Sequence, residues 1–460
     1  MARRQRLIVM SNRLPVRRVR AKGGSQWEQS PGGLVTALAP ILESRHGGWI
    51  GWAGGSGRAP NPFSLKGIEY TPVSLAKDEL EDFYFGFSNR TLWPLYHDSM
   101  RAPEFRRRWW WPYVDVNKRY AEAAAAAAKP GDIIWVHDYH LQLAPAMIRE
   151  LRPDVRIGFF LHIPFPPEEL FAHLPWRTQI LEGMLGADLL GFQTKAGARN
   201  FIAAARRFTD ASGSKGDLAY RGRTVQAKAF PISIDIERFE NLARTADVLA
   251  MRDRLRMKLG AGRKVFLGVD RLDYSKGIDI RLRAFEELLK SGSWTPEECV
   301  FVQIAVPSRE EVEDYAQLRA DVEHLVGRIN GQFGEAGVAA VHYLHRGLPQ
   351  EELVSHYLAA DVMVVTPFRD GMNLVAKEFI ASRIDNDGVL VLSEFAGAAH
   401  ELKSSLLVNP HDLDGVMASY EAALNLNRQD RGRRMRSLRR AVKRNDVFDW
   451  ADSYLEALAS

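Results

Sequence analysis

Two cations in the sequence stand where they could bind a diphosphate. Arg271 and Lys276 flank a predicted strand-to-helix turn that follows the apolar run Val265–Val269. Positive side chains beside a helix N-terminus suit a phosphate group, because the backbone amides there also carry partial positive charge. The alternative is that these cations form ion pairs with Asp270 or Asp273.

Other polar residues at strand and helix ends could contact a sugar. His162 follows the apolar run Ile157–Leu161, although a histidine simply buried in the core is the alternative. Asp370 stands before Gly371 at the start of a predicted helix, with Glu378 two turns further on. A carboxylate at that position could hold sugar hydroxyls, or it could only cap the helix.

Glycines and aromatic residues give two weaker signals. Gly32 and Gly33 precede a predicted helix, so backbone amides could approach a phosphate or a sugar there, unless the pair only forms a turn. Among the many aromatic residues of the first half, Tyr84 and Trp93 are placed on a predicted ligand loop. Aromatic faces often stack on sugars, but most tryptophans only pack in cores.

Common cofactor and metal motifs are missing from the sequence. No G-x-G-x-x-G follows the first strand, no Gly-Lys dipeptide occurs, and no H-E-x-x-H occurs. Cys299 is the single cysteine, which excludes a disulfide framework and a cysteine metal site. His137 and His140 lie three residues apart at a strand end, a spacing that does not converge on a metal. We therefore expect neither a metal nor a cofactor.

The elements that must position these residues are short strands alternating with helices. Continuous apolar runs are typical of parallel strands buried on both faces, and helical patterns such as Pro145–Leu151 and Ile280–Leu289 lie between them. The predicted strands are Leu7–Met10, Ile133–Val136, Ile157–Leu161, Leu189–Phe192, Val225–Phe230, Val265–Val269, Val300–Ile304, Val341–Leu344, Val362–Val365 and Val389–Leu392. The fold class is thus α/β, with two doubly wound domains whose polar strand ends would face one cleft.

We place the domains at residues 1–238 and 239–445, followed by a C-terminal helix over 446–460 that could pack back on the first domain. The run Ala123–Ala128 predicts a plain helix. Phe208–Gly222, rich in Ser, Gly and Asp, predicts a surface loop, and Ile234–Leu259 predicts a linker followed by a helix.

Composition limits the classes of function. The 460 residues carry 62 Lys and Arg against 57 Asp and Glu, a net charge of +5. Its densest clusters, Arg17–Arg20, Arg106–Arg108 and Arg431–Arg440, indicate solvated faces rather than a nucleic-acid surface. The apolar run after the basic start is too short for a signal peptide, and no run is long enough to span a membrane. We expect a cytoplasmic protein that binds small anions and neither nucleic acid nor membrane.

Taken together, the motifs resemble those of the trehalose-6-phosphate synthases, in order, from residue 7 to about 450. The motifs are Ser11-Asn12-Arg13, Gly32-Gly33-Leu34, Leu92-Trp93-Pro94, Trp135 to His140, Phe160 to Pro166, Arg271 to Gly277, Gly327 to Gly331, Thr366 to Glu378 and Ser393 to Gly397. The resemblance implies a GT-B fold, in which two Rossmann-like domains face a deep cleft. It also implies metal-independent transfer of glucose from a nucleotide diphosphate-glucose to glucose 6-phosphate, with retention, to give α,α-trehalose 6-phosphate.

The resemblance also implies roles for individual residues. Arg13, Tyr84, Trp93, Asp138 and Arg309 would line the acceptor site, with Arg13 and Arg309 on its phosphate. Gly32, Gly33, Arg271, Lys276, Leu348, Leu374, Val375 and Glu378 would bind the donor, with Arg271 and Lys276 on the diphosphate and Glu378 on the ribose. His162 and Asp370 would contact the transferred glucose and, with Arg271 and Lys276, count as catalytic.

Retention without an evident nucleophile favours front-face transfer over double displacement, since no carboxylate is clearly offered on the opposite face. In the front-face route the leaving diphosphate oxygen takes the proton of the attacking hydroxyl.

Two features depart from the family or lack a role in it. Ser233 stands where the family usually has glycine, and Arg17–Gln29 forms a long basic loop without an assigned ligand. The nearest alternative function is a sister enzyme with another acceptor, such as glucosylglycerol-phosphate synthase or a pseudo-glycosyltransferase. A polyanion-binding regulatory protein and a phosphorylase with pyridoxal phosphate are more distant. The donor base, a homo-oligomeric state and physiological regulation stay open.

Overall fold

The computed structural model describes residues 5–21, 24–29, 33–309 and 313–460. The chain forms two compact units. The first contains the described residues up to Ile232 together with Val447–Ser460, and the second is Ser233–Asp446. The division thus falls before the short helix near residue 238, whereas we expected it after that residue.

The first unit is built on a ten-stranded sheet with a parallel centre. Its strands, with a separate hairpin of β2 and β3, are β1 Leu7–Arg13, β2 Val16–Ala21, β3 Gly24–Gln29, β4 Gly48–Trp52, β5 Phe63–Leu65, β6 Ile68–Val73, β7 Ile133–His137, β8 Arg156–Leu161, β9 Leu189–Phe192, β10 Ser212–Ser214, β11 Asp217–Tyr220 and β12 Arg223–Ala229. The order is β10-β11-β12-β9-β8-β7-β1-β4-β6-β5, and every pair from β12 to β6 is parallel. Leu7 to Met10 are fully buried because β1 lies in the middle of the sheet.

Helices connect these strands. They are α1 Gly33–Arg45, α2 Lys77–Glu79, α3 Trp93–Tyr96, α4 Arg107–Ala127, α5 Ala144–Leu151, α6 Glu168–Phe171, α7 Arg177–Met184 and α8 Lys195–Phe208. A π-helix over Leu80–Leu92 joins α2 to α3, and a 3₁₀ turn over Tyr139–Leu141 follows β7.

The second unit contains a six-stranded sheet that is parallel throughout. Its strands are β13 Lys264–Arg271, β14 Cys299–Val306, β15 Val341–Leu344, β16 Val362–Val365, β17 Val389–Ser393 and β18 Leu406–Val408, in the order β15-β14-β13-β16-β17-β18. Its helices are α9 Ile236–Leu242, α10 Ala246–Leu259, α11 Ile278–Lys290, α12 Glu313–Phe333, α13 Gln350–Ala359, α14 Leu374–Ser382, α15 Leu413–Asn425 and α16 Arg428–Lys443, with 3₁₀ turns at Tyr274–Lys276 and Gly397–His400.

The last helix, α17 Val447–Ala459, packs on the sheet of the first unit. Tyr454 donates its hydroxyl hydrogen to the carbonyls of Phe159 and Leu189, at 3.1 and 2.9 Å. A Cβ atom added to Gly158 or Gly191 would lie 2.6 or 2.7 Å from the Tyr454 side chain. The two glycines therefore allow the close approach of α17, and larger residues there would push the helix away.

The α/β class and the two doubly wound sheets are confirmed. Two segments predicted as loops are instead hairpins. Arg17–Gln29 lies within β2 and β3, apart from residues 22 and 23, which lie outside the described residues. Within Phe208–Gly222, β10 and β11 are joined by Lys215 and Gly216, which both have positive φ as a tight hairpin turn requires. No helix in the described parts of the chain is long and apolar enough to cross a membrane.

Candidate active site

Polar residues gather at the topological switch point of each sheet. In the first unit, β1 and β7 are neighbours whose connections run to opposite sides of the sheet, and in the second unit the same holds for β13 and β16. Ligands of open α/β sheets bind beyond the carboxyl ends of such strand pairs. Arg13, His137 and Asp138 stand at such ends in the first unit and Arg271 in the second, and the other predicted site residues lie on neighbouring turns, strands and helices. We call the two groups the first-unit cluster (Arg13, Tyr84, Trp93, His137, Asp138, His162) and the second-unit cluster (Arg271, Asp273, Lys276, Arg309, Asp370, Glu378).

The centre of the first-unit cluster is a pair of histidines. Nδ1 of His137 lies 3.0 Å from Nε2 of His162, and the amide of His162 donates a hydrogen bond of 3.2 Å to Oδ1 of Asp138. Burial lowers the pKa of His162 to about 4 and the pKa of His137 well below its usual value, where the charge of His162 adds to the effect. Both imidazoles are therefore neutral near pH 7.

Asp138 has a backbone conformation that non-glycine residues seldom adopt. Its φ is 75° and its ψ is 169°, a combination that costs about 1–3 kcal/mol for a residue with a Cβ. The conformation turns the chain between β7 and the 3₁₀ turn and places the carboxylate against the amide of His162. Strain of this kind is concentrated at functional sites.

Tyr84 and Trp93 lie on helices, so the prediction of a ligand loop was wrong. Tyr84 is in the π-helix, where its ring stacks on His140 at a centroid distance of 5.7 Å, and Trp93 starts α3 with 3% exposure. Asn89 holds this region together: its amide donates to the carbonyl of Tyr84 at 2.7 Å and accepts from the hydroxyl of Tyr139 at 2.9 Å. π-helical turns recur at functional sites.

The remaining first-unit predictions concern Arg13 and two glycines. The Arg13 guanidinium is exposed at the end of β1 and lies over the ring of Trp52, 5.6 Å from its centroid. Gly33 is the first residue of α1, whereas Gly32 lies outside the described residues. The roles of Arg13 and the glycines in ligand binding stay predictions.

In the second-unit cluster, Lys276 and Asp370 form an ion pair. Nζ of Lys276 lies 2.7 Å from Oδ2 of Asp370, and the two side chains are only 11% and 14% exposed. Asp370 does not cap the following helix, because Asn373 is the N-cap of α14 and accepts from the amide of Ala376 at 3.1 Å. The structure thus brings two residues predicted for the donor site into direct contact, although 94 positions separate them in the sequence.

The nearby carboxylates Asp270 and Asp273 bind arginines of other elements. Asp270 pairs with Arg281 of α11 at 2.6 Å, and Asp273 pairs with Arg309 at 3.0 Å. Arg271, at the end of β13, is exposed. The ion pair of Lys276 is formed with Asp370, whereas the sequence had offered Asp270 or Asp273 only as the alternative to a diphosphate.

Asp273 is buried, and its carboxylate binds Arg309 and several hydrogen-bond donors. Besides Arg309, it accepts hydrogen bonds from the hydroxyl of Tyr315 at 3.1 Å and from the amide and hydroxyl of Ser275 at 2.9 and 2.8 Å. Burial alone would raise the pKa of Asp273, but the charges of Arg309, Lys276 and Arg271 and the Ser275 amide outweigh burial and lower it to about 2. Sequence reasoning missed this role, although Asp273 stands inside the predicted diphosphate loop.

The other predicted donor residues lie on or near helices of the same unit. Glu378, on α14, accepts a hydrogen bond of 2.8 Å from the Tyr357 hydroxyl, and burial raises its pKa. Leu374 and Val375 form the half-buried first turn of α14, and the half-buried Leu348 precedes α13. Their contacts with a donor stay predictions.

Comparison with known proteins identifies the family. The model of "Glycosyltransferase family 20" matches residues 5–460. The chain belongs to glycosyltransferase family 20. It is 54% identical over 462 residues to a trehalose-6-phosphate synthase of Mycobacterium sp. (strain KMS), covering 98% of this chain and 94% of that protein.

Two solved structures of similar proteins carry ligands. A UDP-forming α,α-trehalose-phosphate synthase of Burkholderia xenovorans in complex with glucose 6-phosphate is 34% identical, with a TM-score of 0.90 and coverage of 99% of this chain and 100% of that one. A structure from E. coli bound with UDP-2-fluoro glucose is also 34% identical, with a TM-score of 0.90 and coverage of 98% of both chains. The family member described here is thus a glycosyltransferase with the two Rossmann-like domains of a GT-B fold.

Ser233 and the arrangement of the possible metal ligands bear on the comparison with this family. Ser233 is fully buried and is not among the non-glycine residues with positive φ in the described chain, so its backbone conformation does not require the glycine that is usual there. Among the described residues, no three His, Cys, Asp or Glu side chains cluster as metal ligands would.

Proposed function

We propose that this glycosyltransferase transfers glucose from UDP-glucose to glucose 6-phosphate, giving α,α-trehalose 6-phosphate and UDP. The observation that carries the proposal is full-length similarity to two structures that hold glucose 6-phosphate and a UDP-glucose analogue. It is supported by the positions of Arg13, Asp138 and Arg271, because these residues lie at the strand ends where α/β sheets bind ligands.

The proposal divides the site residues by substrate. Arg13, Tyr84, Trp93, Asp138 and Arg309 bind glucose 6-phosphate, with the two arginines on its phosphate. Gly32, Gly33, Arg271, Lys276, Leu348, Leu374, Val375 and Glu378 bind the nucleotide sugar, and His162 and Asp370 contact its glucose.

The chemistry is a front-face displacement. The hydroxyl oxygen on the anomeric carbon of glucose 6-phosphate forms a bond to the anomeric carbon of the donor glucose. The bond from that carbon to the diphosphate oxygen breaks on the same face, and the proton of the hydroxyl passes to the departing oxygen. Lys276 and Arg271 stabilise the growing charge on the diphosphate, an effect worth about 3–4 kcal/mol for a single well-placed donor. The proton moves directly from one substrate to the other. His162, which is neutral near pH 7, takes no part in this transfer and contacts the sugar.

A screen of donors and acceptors tests this function. The purified chain is incubated with UDP-, GDP- or ADP-glucose and with glucose 6-phosphate, glucose or glycerol 3-phosphate. We expect UDP release only with glucose 6-phosphate, and a product whose two anomeric protons both show the small coupling of α linkages in NMR. A phosphorylated glucosylglycerol as the main product would identify the sister enzyme instead.

Matched arginine variants connect the activity to the site. Arg309→Ala should lose activity, whereas Arg436→Ala, at an exposed arginine of α16, should keep it.

We also retain the cytoplasm as the expected location, which cell fractionation would test.

A further inference from the structure

The buried histidine His137 lies directly beside His162. The two residues meet because β7 and β8 are parallel neighbours in which His137 pairs with Phe160. His162 is two positions beyond Phe160, so its side chain leaves the sheet on the same face. The rings lie 5.3 Å apart at 21°, with Nδ1 of His137 and Nε2 of His162 at 3.0 Å.

Only one of the two facing nitrogens of these neutral rings can carry a hydrogen and donate it to the other. The surroundings of His137 determine which ring is the donor. His137 is 1% exposed, and its Nε2 is buried without a hydrogen-bond partner in the described chain. The aromatic neighbours on its other sides are Trp135, with a donor only, and Phe160, with no polar group.

If His162 donated, neutral His137 would carry its hydrogen on Nε2, as a buried N–H without an acceptor. Orphaned buried N–H groups are rarer than acceptors without a partner. The favoured arrangement therefore has Nδ1–H of His137 donating to Nε2 of His162. Neutral His162 then carries its own hydrogen on Nδ1, the nitrogen that makes no hydrogen bond in the described chain.

We propose that His137 is a positioning residue that fixes the tautomer of His162, so that His162 offers an Nδ1–H donor to a hydroxyl oxygen of the transferred glucose. The identity of the sugar rests on the proposed function. Trp450 of α17, whose ring lies 6.2 Å from that of His162 and 5.1 Å from that of Phe160, covers the same layer.

NMR of the protein with ¹⁵N-labelled histidine tests the tautomer without any substrate. Signals of the pair are assigned from their loss in His137→Asn and His162→Asn. We expect Nδ1 of His162 to be proton-bearing and Nε2 to be bare, and the reverse pattern would overturn the proposal. Because no turnover is involved, this result is independent of whether the proposed reaction is correct.

Kinetics test whether His137 acts through His162. His137→Phe should lower kcat/KM for UDP-glucose about tenfold, the effect of one lost hydrogen bond, while the affinity for UDP, which lacks the glucose, stays unchanged. His137→Asn, whose amide nitrogen can take the place of Nδ1, should recover most of the activity. His342→Phe, at a half-buried histidine on β15, is the control and should have no effect.

A double-mutant cycle completes the experiment. In the His162→Ala background, His137→Phe should cause no further loss. An equal loss in both backgrounds would show that His137 only supports the fold, and would overturn the proposal.

Discussion

Replacing Asp273 with asparagine tests how the second unit stabilises a buried arginine. Asp273 is fully buried, and the Arg309 side chain that it pairs with is 5% exposed. Asparagine keeps the shape and one oxygen for Ser275, but it removes the negative charge that faces Arg309. The variant therefore isolates the charge of the carboxylate from its packing.

The expected loss of stability follows from the pKa of Asp273, which falls from 3.8 to about 2 on folding. At about 1.4 kcal/mol for each pH unit, this difference corresponds to about 2–3 kcal/mol. Breaking one side of a buried pair typically costs about 3–5 kcal/mol in total, which includes leaving Arg309 charged and buried. We expect Asp273→Asn to lower the free energy of unfolding by about 2–5 kcal/mol at pH 7.

The stabilisation by Asp273 should depend on pH in a definite direction. Because the folded pKa is lowered, the carboxylate stabilises the fold fully above pH 3.8 and loses this effect as the pH falls through about 2. The difference between the variant and the parent chain should therefore narrow below pH 4. A difference that stays constant between pH 7 and 3 would refute the electrostatic reasoning.

The assay must report on the second unit. Of the 11 tryptophans, only Trp294 lies in that unit, so fluorescence mainly follows the other one. Urea unfolding followed by circular dichroism, with hydrogen exchange of the β13 and β14 amides, avoids this problem. Asp321→Asn, at an exposed carboxylate of α12, is the matched control. A loss below about 0.5 kcal/mol for Asp273→Asn, as expected for an exposed site, would contradict the prediction.

Four further outcomes are expected. Arg309→Ala should weaken the binding of glucose 6-phosphate by about 2–4 kcal/mol and the binding of UDP-glucose far less, since charge-assisted phosphate contacts are strong. Equal changes in the KM values of both substrates would disprove this. Arg271→Ala and Lys276→Ala should each lower kcat by about 10²–10³-fold, and calorimetry should show a lower Tm for Lys276→Ala, which breaks a largely buried ion pair with Asp370. Turnover should persist in excess chelator, and loss that a divalent ion restores would argue for a metal. Between pH 6.5 and 4, the free energy of unfolding should fall by about 1.4 kcal/mol per pH unit through His162, because only the unfolded chain protonates it; His137, whose pKa is also lowered, adds to the slope, so His162→Asn should reduce the slope in denaturation experiments without abolishing it.

The sequence predicted the parallel strands well because burial on both faces produces continuous apolar runs. Strand bounds at Leu189–Phe192, Val341–Leu344 and Val362–Val365 agree with the structure residue for residue. Strands with weaker patterns were missed, such as β11, in which Leu218 and Tyr220 are buried while Asp217 and Ala219 are exposed. That alternation marks a half-buried strand, but four residues are too few to stand out in a segment rich in Gly and Ser.

Contacts between distant positions could not be predicted from one sequence. The motifs place Lys276 and Asp370 at strand ends, yet their pairing depends on β13 and β16 being neighbours, which no local pattern encodes. His137 was considered only as a metal ligand, because its proximity to His162 depends on the register of β7 and β8. The π-helix was missed because its hydrogen bonds to the fifth residue leave no distinct periodicity in thirteen residues.

The ion pairs of the second unit also explain how a site can hold several cations before substrate binds. Buried cations are stable only when paired, and Arg281, Lys276 and Arg309 each have a carboxylate, while Arg271 stays exposed at the end of β13. The pairs fix the positions of Lys276 in the 3₁₀ turn after β13, of Arg281 on α11 and of Arg309 beyond β14. Stabilisation of a leaving group is strongest when the charges need not move during the reaction. The carboxylates therefore reduce the net charge of the cluster but hold Lys276 and Arg309 in place, as their proposed binding of the diphosphate and the acceptor phosphate requires.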